Sequence, residues 1–141
     1  MSDTFTQVFL HIVFSTKNRE PELVGDVRET AHRYIATVAR NLGCTVHALN
    51  GWTDHVHLLV EVPATIALAD LVRDLKANSS RTIREDHRRP GFAWQAGYSA
   101  FSVSRRNVAA ARQYVEEQER HHGGSRKLAF DAELEWLEGG S

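Results

Sequence analysis

Between Gln7 and Phe14 the residues Val8, Leu10, Ile12 and Phe14 fall on alternate positions, the period-two pattern of a strand with one apolar face. A basic turn through Lys17, Asn18, Arg19 and Pro21 ends it. Val27, Ala31, Tyr34, Ile35 and Val38 then recur at helical spacing up to a stop at Gly43. Thr45 to Leu49 and His55 to Val62 read as two strands, and Asn50-Gly51 between them is a dipeptide that favours a tight hairpin turn. Beyond Pro63, the residues Leu68, Leu71, Val72 and Leu75 mark a second amphipathic helix, with Asp70 near its positive end. It runs past Arg81 and closes at Pro90-Gly91. Phe92 to Val103 reads as a fourth strand, with Gly97 inside it as a bulge or a point of close backbone approach. Ser104 is placed to cap a last helix carrying Val108, Ala111 and Val115, which Gly123-Gly124 must end. Leu134, Trp136 and Leu137 in the acidic tail suggest one more docked turn.

The order β-α-β-β-α-β-α predicts an α+β fold: a ferredoxin-like or RRM-like βαββαβ sandwich with an antiparallel sheet and an added C-terminal helix. The first and third strands are then central. No repeat, low-complexity tract or long linker divides the chain, so residues 1–141 are expected to form a single domain.

The 17 basic residues nearly cancel the 18 acidic ones, for a formal net charge of -1, so nucleic-acid binding would have to rely on a local patch. Lys76, Arg81, Arg84, Arg88 and Arg89 lie on and after the second helix, Lys17 and Arg19 in the first turn, and Arg105, Arg106 and Arg112 beside Tyr114. Taken singly, each reads as readily as part of a solvated face. The acidic tail residues Asp131, Glu133, Glu135 and Glu138 supply much of the cancelling charge. Trp94, Tyr98 and Phe101 are candidates to stack on unpaired bases, with core packing the competing role. Cys44 is the only cysteine, which excludes an internal disulfide and a cysteine-based zinc cluster and suits a buried, inert thiol. No signal-peptide pattern and no bilayer-length apolar run occurs, so a cytoplasmic protein without a membrane partner is expected.

Against this background the segment Asp54-His55-Val56-His57-Leu58-Leu59-Val60 carries the strongest chemical signal. Period-two geometry puts both imidazoles on one face of a central strand, while Val56, Leu58, Val60 and Val62 fill the other. The crossover helices should cover the apolar face, leaving the histidines where a substrate can reach them. An isolated His-x-His is more often an ordinary pair of strand histidines, and a metal site needs further ligands. In the last helix Tyr114 and Gln118 are one turn apart and share a face, with His121 a further turn along. Packed tyrosine and solvated glutamine are the bland alternative. Tyr34 and Tyr98 already have structural roles in a helix stripe and an aromatic strand.

Five segments taken together resemble the single-tyrosine HUH transposases of insertion sequences and their REP-associated tyrosine transposase relatives. They are His11-Ile12-Val13-Phe14-Ser15-Thr16-Lys17-Asn18-Arg19, Asp54 to Val60, Leu75-Lys76-Ala77-Asn78-Ser79-Ser80, Trp94-Gln95-Ala96-Gly97-Tyr98, and Tyr114-Val115-Glu116-Glu117-Gln118. The resemblance implies a metal pair in His55 and His57, a third ligand in Gln118 and a nucleophile in Tyr114. It implies a divalent ion, Mg2+ or Mn2+, and cutting and rejoining of a single-stranded DNA hairpin through a 5'-phosphotyrosine. It further implies a homodimer, in several relatives with the tyrosine helix completing the partner's site; among the basic residues, Lys17, Arg19, Lys76, Arg81, Arg84, Arg105 and Arg112 are the expected phosphate contacts. A domesticated REP-associated relative, a hairpin-binding module without catalysis and a zinc hydrolase are the alternatives. For the general base, Glu61 shares the parity of the histidines and His121 lies near Tyr114, and the residues do not decide between them. His11 is placed either to orient a ligand or to serve structure alone.

Overall fold

The computed structural model describes residues 3–118. Strands β1 (Val8–Ser15), β2 (Thr45–Gly51), β3 (His55–Val62) and β4 (Ser99–Val103) form one sheet in the order β2-β3-β1-β4. Helices α1 (Gly25–Asn41), α2 (Leu68–Asp86) and α3 (Val108–Glu116) complete the predicted βαββαβ core and its additional helix. All three strand pairings are antiparallel, and β1 and β3 are central as expected.

Strand alternation explains the larger core. Ile12 and Phe14 of β1 and Val56, Leu58 and Val60 of β3 are fully buried on the face that α1 and α2 cover. The helices contribute Ala31, Ile35, Leu71, Leu75 and Ile83 from their apolar stripes. Each fully buried aliphatic or aromatic side chain here is worth about 1.5–3 kcal/mol relative to exposure. Buried Cys44 belongs to this layer, as expected.

The opposite face is also covered. Phe9, Ala48, Leu59 and Val103 make a second, smaller core with Ala111, Tyr114 and Val115 of α3. His55 and His57 are consequently fully buried rather than open to solvent. The sequence held the signal for this correction: Phe9, Val13, Leu59 and Val103 have the parity of the histidines, so that face also needed a cover.

Three local expectations change as well. Asn50 and Gly51 are not the hairpin turn; they pair with His57 and Val56, and the chain reverses through Trp52, Thr53 and Asp54. The glycine is required by close approach, because a Cβ on Gly51 would collide with the His55 carbonyl oxygen and stand 2.9 Å from Val56 Cα. The fourth strand begins at Ser99 rather than Phe92. Its expected first half is an irregular segment in which Trp94 makes a single bridge to Thr16 and Gly97 takes a positive φ of 89°. Ser104 precedes a short 3-10 turn, Arg105–Asn107, and makes no side-chain cap there; α3 follows directly. Gly123-Gly124, His121 and the tail residues from Asp131 to Glu138 lie outside the described residues.

Candidate functional site

Register brings the site together. On β3, His55 and His57 sit opposite Ser15 and Val13 of β1, and Asn50 of β2 flanks His57 on its other side. The two imidazole centroids are 5.0 Å apart, with ring planes at 75°. His57 also stacks on His11, centroid to centroid 5.0 Å, with His11 Nε2 and His57 Nδ1 in a 2.8 Å hydrogen bond. His55 Nδ1 makes a 2.7 Å contact with Asp54 Oδ1. Each histidine of the pair thus commits Nδ1 to an outer partner. In metal sites that arrangement fixes ring orientation and makes Nε2 the coordinating nitrogen.

Asp54 is the hub of one such outer contact. Its second oxygen accepts from Arg19 Nε at 3.0 Å and lies 2.9 Å from Nη2, a two-point guanidinium pair. Burial pushes this carboxyl up, but the hydrogen bond and charge of His55 together with Arg19 outweigh it and hold Asp54 below the usual carboxylate range. Arg19 reaches it from a left-handed backbone, with φ 57° at Asn18 and 55° at Arg19. Asparagine tolerates that region, while arginine adopts it at a cost that the surrounding contacts must offset. Those contacts include Thr16 Oγ1 donating to the Glu20 carbonyl at 2.7 Å and the Asn18 amide donating to Gln95 Oε1 at 3.3 Å.

From above the sheet, α3 lowers Tyr114 onto the histidines of its own chain. The phenol ring is 5.8 Å from His57 and 6.1 Å from His11, edge-on to both, and is 4 % exposed. One turn on, Gln118 is fully buried; its Nε2 donates to the Tyr114 carbonyl at 3.3 Å, and its Oε1 makes no hydrogen bond among the described residues. A buried amide oxygen left without a donor is costly, and a cation would satisfy it. Among the described residues, no three histidine, cysteine or carboxylate side chains meet as a metal cluster.

The remaining predicted residues separate into two groups. Lys17, Arg81, Arg105 and Arg112 are exposed, with Arg112 in a 3.0 Å helix-surface pair with Glu116. Arg19, Lys76 and Arg84 are half-buried and internally engaged. Lys76 donates to the Gln95 and Gly97 carbonyls beside the Phe14 and Tyr98 rings, and burial lowers its ammonium pKa to about 8. Arg84 donates to the Phe92 carbonyl at 3.3 Å. Lys76 and Arg84 therefore pin the segment from Phe92 to Gly97. Trp94 is a core residue, edge-on to Phe14 and Phe92 with its indole N–H donating to Ser79 Oγ at 2.9 Å, while Phe101 is exposed. Glu61 contacts His47 at 3.4 Å, four residues along β3 from His57, or about 13 Å of strand. Sequence reasoning missed the Arg19–Asp54 pair and Asn50; the one available hint was an acidic residue directly before the first histidine.

The profile of the family described as "Transposase IS200 like" matches residues 4–118, the whole span that contains the sheet, the histidine pair and the tyrosine helix. The chain belongs to the IS200-like transposase family. Among relatives of this IS200-like transposase, the ISDra2 transposase TnpA of Deinococcus radiodurans is 28% identical over 118 residues, covering 79% of this chain and 84% of that one. The transposase for insertion sequence element IS200 of Salmonella typhimurium is 25% identical over 115 residues, or 77% of this chain and 74% of that one. A crystal structure of a transposase from D. radiodurans R1 superposes with a TM-score of 0.67 at 27% identity, covering 84% of this chain and 95% of that chain. A REP-associated tyrosine transposase bound to a REP hairpin shares the fold, with a TM-score of 0.65 at 15% identity over 87% of this chain and 75% of that one. Among the described residues, no helix of the IS200-like transposase is long and apolar enough to cross a membrane.

Proposed function

We propose that this IS200-like transposase cuts and rejoins single-stranded DNA at hairpin-bearing ends by metal-assisted transesterification through Tyr114. One observation supports the reading most: Tyr114 packs edge-on 5.8 Å from His57, whose ring is 5.0 Å from His55, and Gln118 one turn further along is buried with an amide oxygen that has no donor among the described residues. The donor set suits a divalent ion, Mg2+ or Mn2+, held by His55, His57 and Gln118. Such an ion, when bound, withdraws charge from a non-bridging phosphate oxygen and orients the phosphate for in-line attack.

The protein's own part is to deliver the nucleophile and hold the strand. Tyr114 Oη forms a bond to phosphorus, the bond from phosphorus to the 3'-oxygen breaks, and the phenolic proton is transferred to that oxygen. The products are a 5'-phosphotyrosine and a free 3'-hydroxyl. Attack by the 3'-hydroxyl of another end reverses the exchange, restores the phenol and joins the strands without ATP. His11 and Asp54 hold the two imidazoles in one orientation throughout. Tyr114 and both histidines are buried, so the phosphate enters by a transient opening of their cover, after which α3 reseats over the histidine pair for attack. Lys17, Arg105 and Arg112 are exposed cations proposed to hold the DNA backbone near the site, and exposed Arg81 on α2 would bind it from the other side of the sheet, with salt-sensitive and largely sequence-independent contacts. The hairpin-bound fold relative supports a DNA hairpin as ligand. The proposal keeps a homodimer, as family resemblance implies, and takes each site as built within one protomer, the arrangement in which α3 packs on its own sheet.

The test is incubation with Mn2+ and a hairpin-bearing single strand, followed by denaturing electrophoresis. A covalent adduct is expected from the wild type, and none from Tyr114→Phe, which keeps its DNA affinity. An undiminished adduct in that variant would remove Tyr114 from the mechanism. Metal-independent binding with no adduct on any cognate end would support a hairpin-binding module instead.

A further inference from the structure

Most helical stability in a folded protein comes from tertiary packing, so the position of α3 is set by what it touches. Ala111, Tyr114 and Val115 press it onto Phe9, Ala48, Leu59 and Val103, but apolar contact is non-directional and leaves its rotation and axial position loosely defined. A directional contact lies at its C-terminal end. Asn50 Nδ2 donates to the Glu116 carbonyl at 2.9 Å. Glu116 is the last residue of α3, and this contact gives its carbonyl a directional partner on the sheet. Tyr114 lies two residues before this carbonyl and Gln118 two after it. Asn50 itself sits in register beside His57.

The orientation of that amide is also specified. Arg28 of α1 donates Nη2 to Asn50 Oδ1 at 2.8 Å and to the Gly51 carbonyl at 3.2 Å. A guanidinium only donates, so the amide oxygen must face Arg28 and the amide nitrogen must face α3. We infer that Asn50, oriented by Arg28, is a positioning residue that sets the placement of the tyrosine helix over the histidine pair. This rests on the reading of Tyr114 as nucleophile and Gln118 as ligand, but the clamp itself is observable without the reaction.

Asn50→Asp keeps the size and the pairing with Arg28 while losing the donor; Asn50→Ala loses both. Hydrogen exchange of the full chain should show the amides of residues 108–118 exchanging roughly three- to tenfold faster in both variants, the worth of one such hydrogen bond, with β1 and β3 unchanged. Single-turnover adduct formation at saturating hairpin DNA should slow by a similar factor, while half-saturation stays within about twofold. Arg28→Ala should reproduce the pattern more weakly, and wild-type α3 exchange there would remove Arg28 from the proposal. Wild-type α3 exchange in both Asn50 variants would overturn the clamp. Faster α3 exchange with an unchanged rate at saturating DNA would overturn its positioning role. An adduct that persists in Tyr114→Phe refutes the catalytic reading instead, and the exchange data still judge the clamp.

Discussion

His32 shows how one side chain can tie this fold to pH. Burial, reinforced by the charge of Arg28, lowers its pKa from 6.5 to about 4, so the folded protein keeps it neutral. Above pH 6.5 it is neutral in both states and adds no pH dependence. As pH falls below that, the unfolded chain takes up the proton first and stability drops, levelling off below about 4. Between pH 7.5 and 5 the expected loss from this residue is about 2 kcal/mol. Urea melts at the two pH values should show it, and His32→Gln should lose that much less than the wild type; equal losses would contradict the assignment. Asp54 makes a second prediction at this scale. It orients His55 and is itself held by Arg19, so Asp54→Ala should weaken Mn2+ binding roughly tenfold, as titrated by electron paramagnetic resonance of free Mn2+. Unchanged affinity would reduce Asp54 to a turn residue. Spacing put His55 with His57, and Tyr114 with Gln118, on one face each, while the roles given to these residues came from the family resemblance. Asn50 was not legible in the sequence, because its role comes from partners 22 and 66 positions away, on α1 and α3.

Among the elements, β1, α1, β3 and α2 were readable because long amphipathic runs override local ambiguity. The hairpin between β2 and β3 was misplaced for a specific reason: Asn-Gly is a strong turn signal, but here tight cross-strand packing requires the glycine and a side-chain clamp uses the asparagine. Gly51→Ala tests that explanation. A Cβ there must push against the backbone of His55 and Val56, so a loss of about 1–3 kcal/mol is expected, the usual cost of overpacking, together with weaker Mn2+ binding because His55 begins at that contact. A turn glycine without the close approach would leave metal affinity untouched. The segment from Phe92 to Tyr98 was read as strand from its aromatics, but Phe92 and Trp94 are core pegs and Lys76 takes the carbonyls of Gln95 and Gly97. Tertiary anchoring there replaces a ladder.

At the level of the whole molecule, among the described residues the sheet is covered on both faces, by α1 and α2 on one and by α3 on the other, and the histidine pair and Tyr114 lie under α3. That placement favours a site built by one chain. Mixing Tyr114→Phe with His57→Ala protein should therefore leave adduct formation absent, whereas restored adduct would show that the tyrosine helix is exchanged between protomers. The chain contains three tyrosines, Tyr34, Tyr98 and Tyr114, and the account depends on the last of them alone. Its most direct test is peptide mapping of the wild-type adduct trapped on a hairpin-bearing single strand with Mn2+. The predicted result is a nucleotide 5'-phosphate on Tyr114; a nucleotide on Tyr34 or Tyr98, or a nick without any adduct, would contradict it.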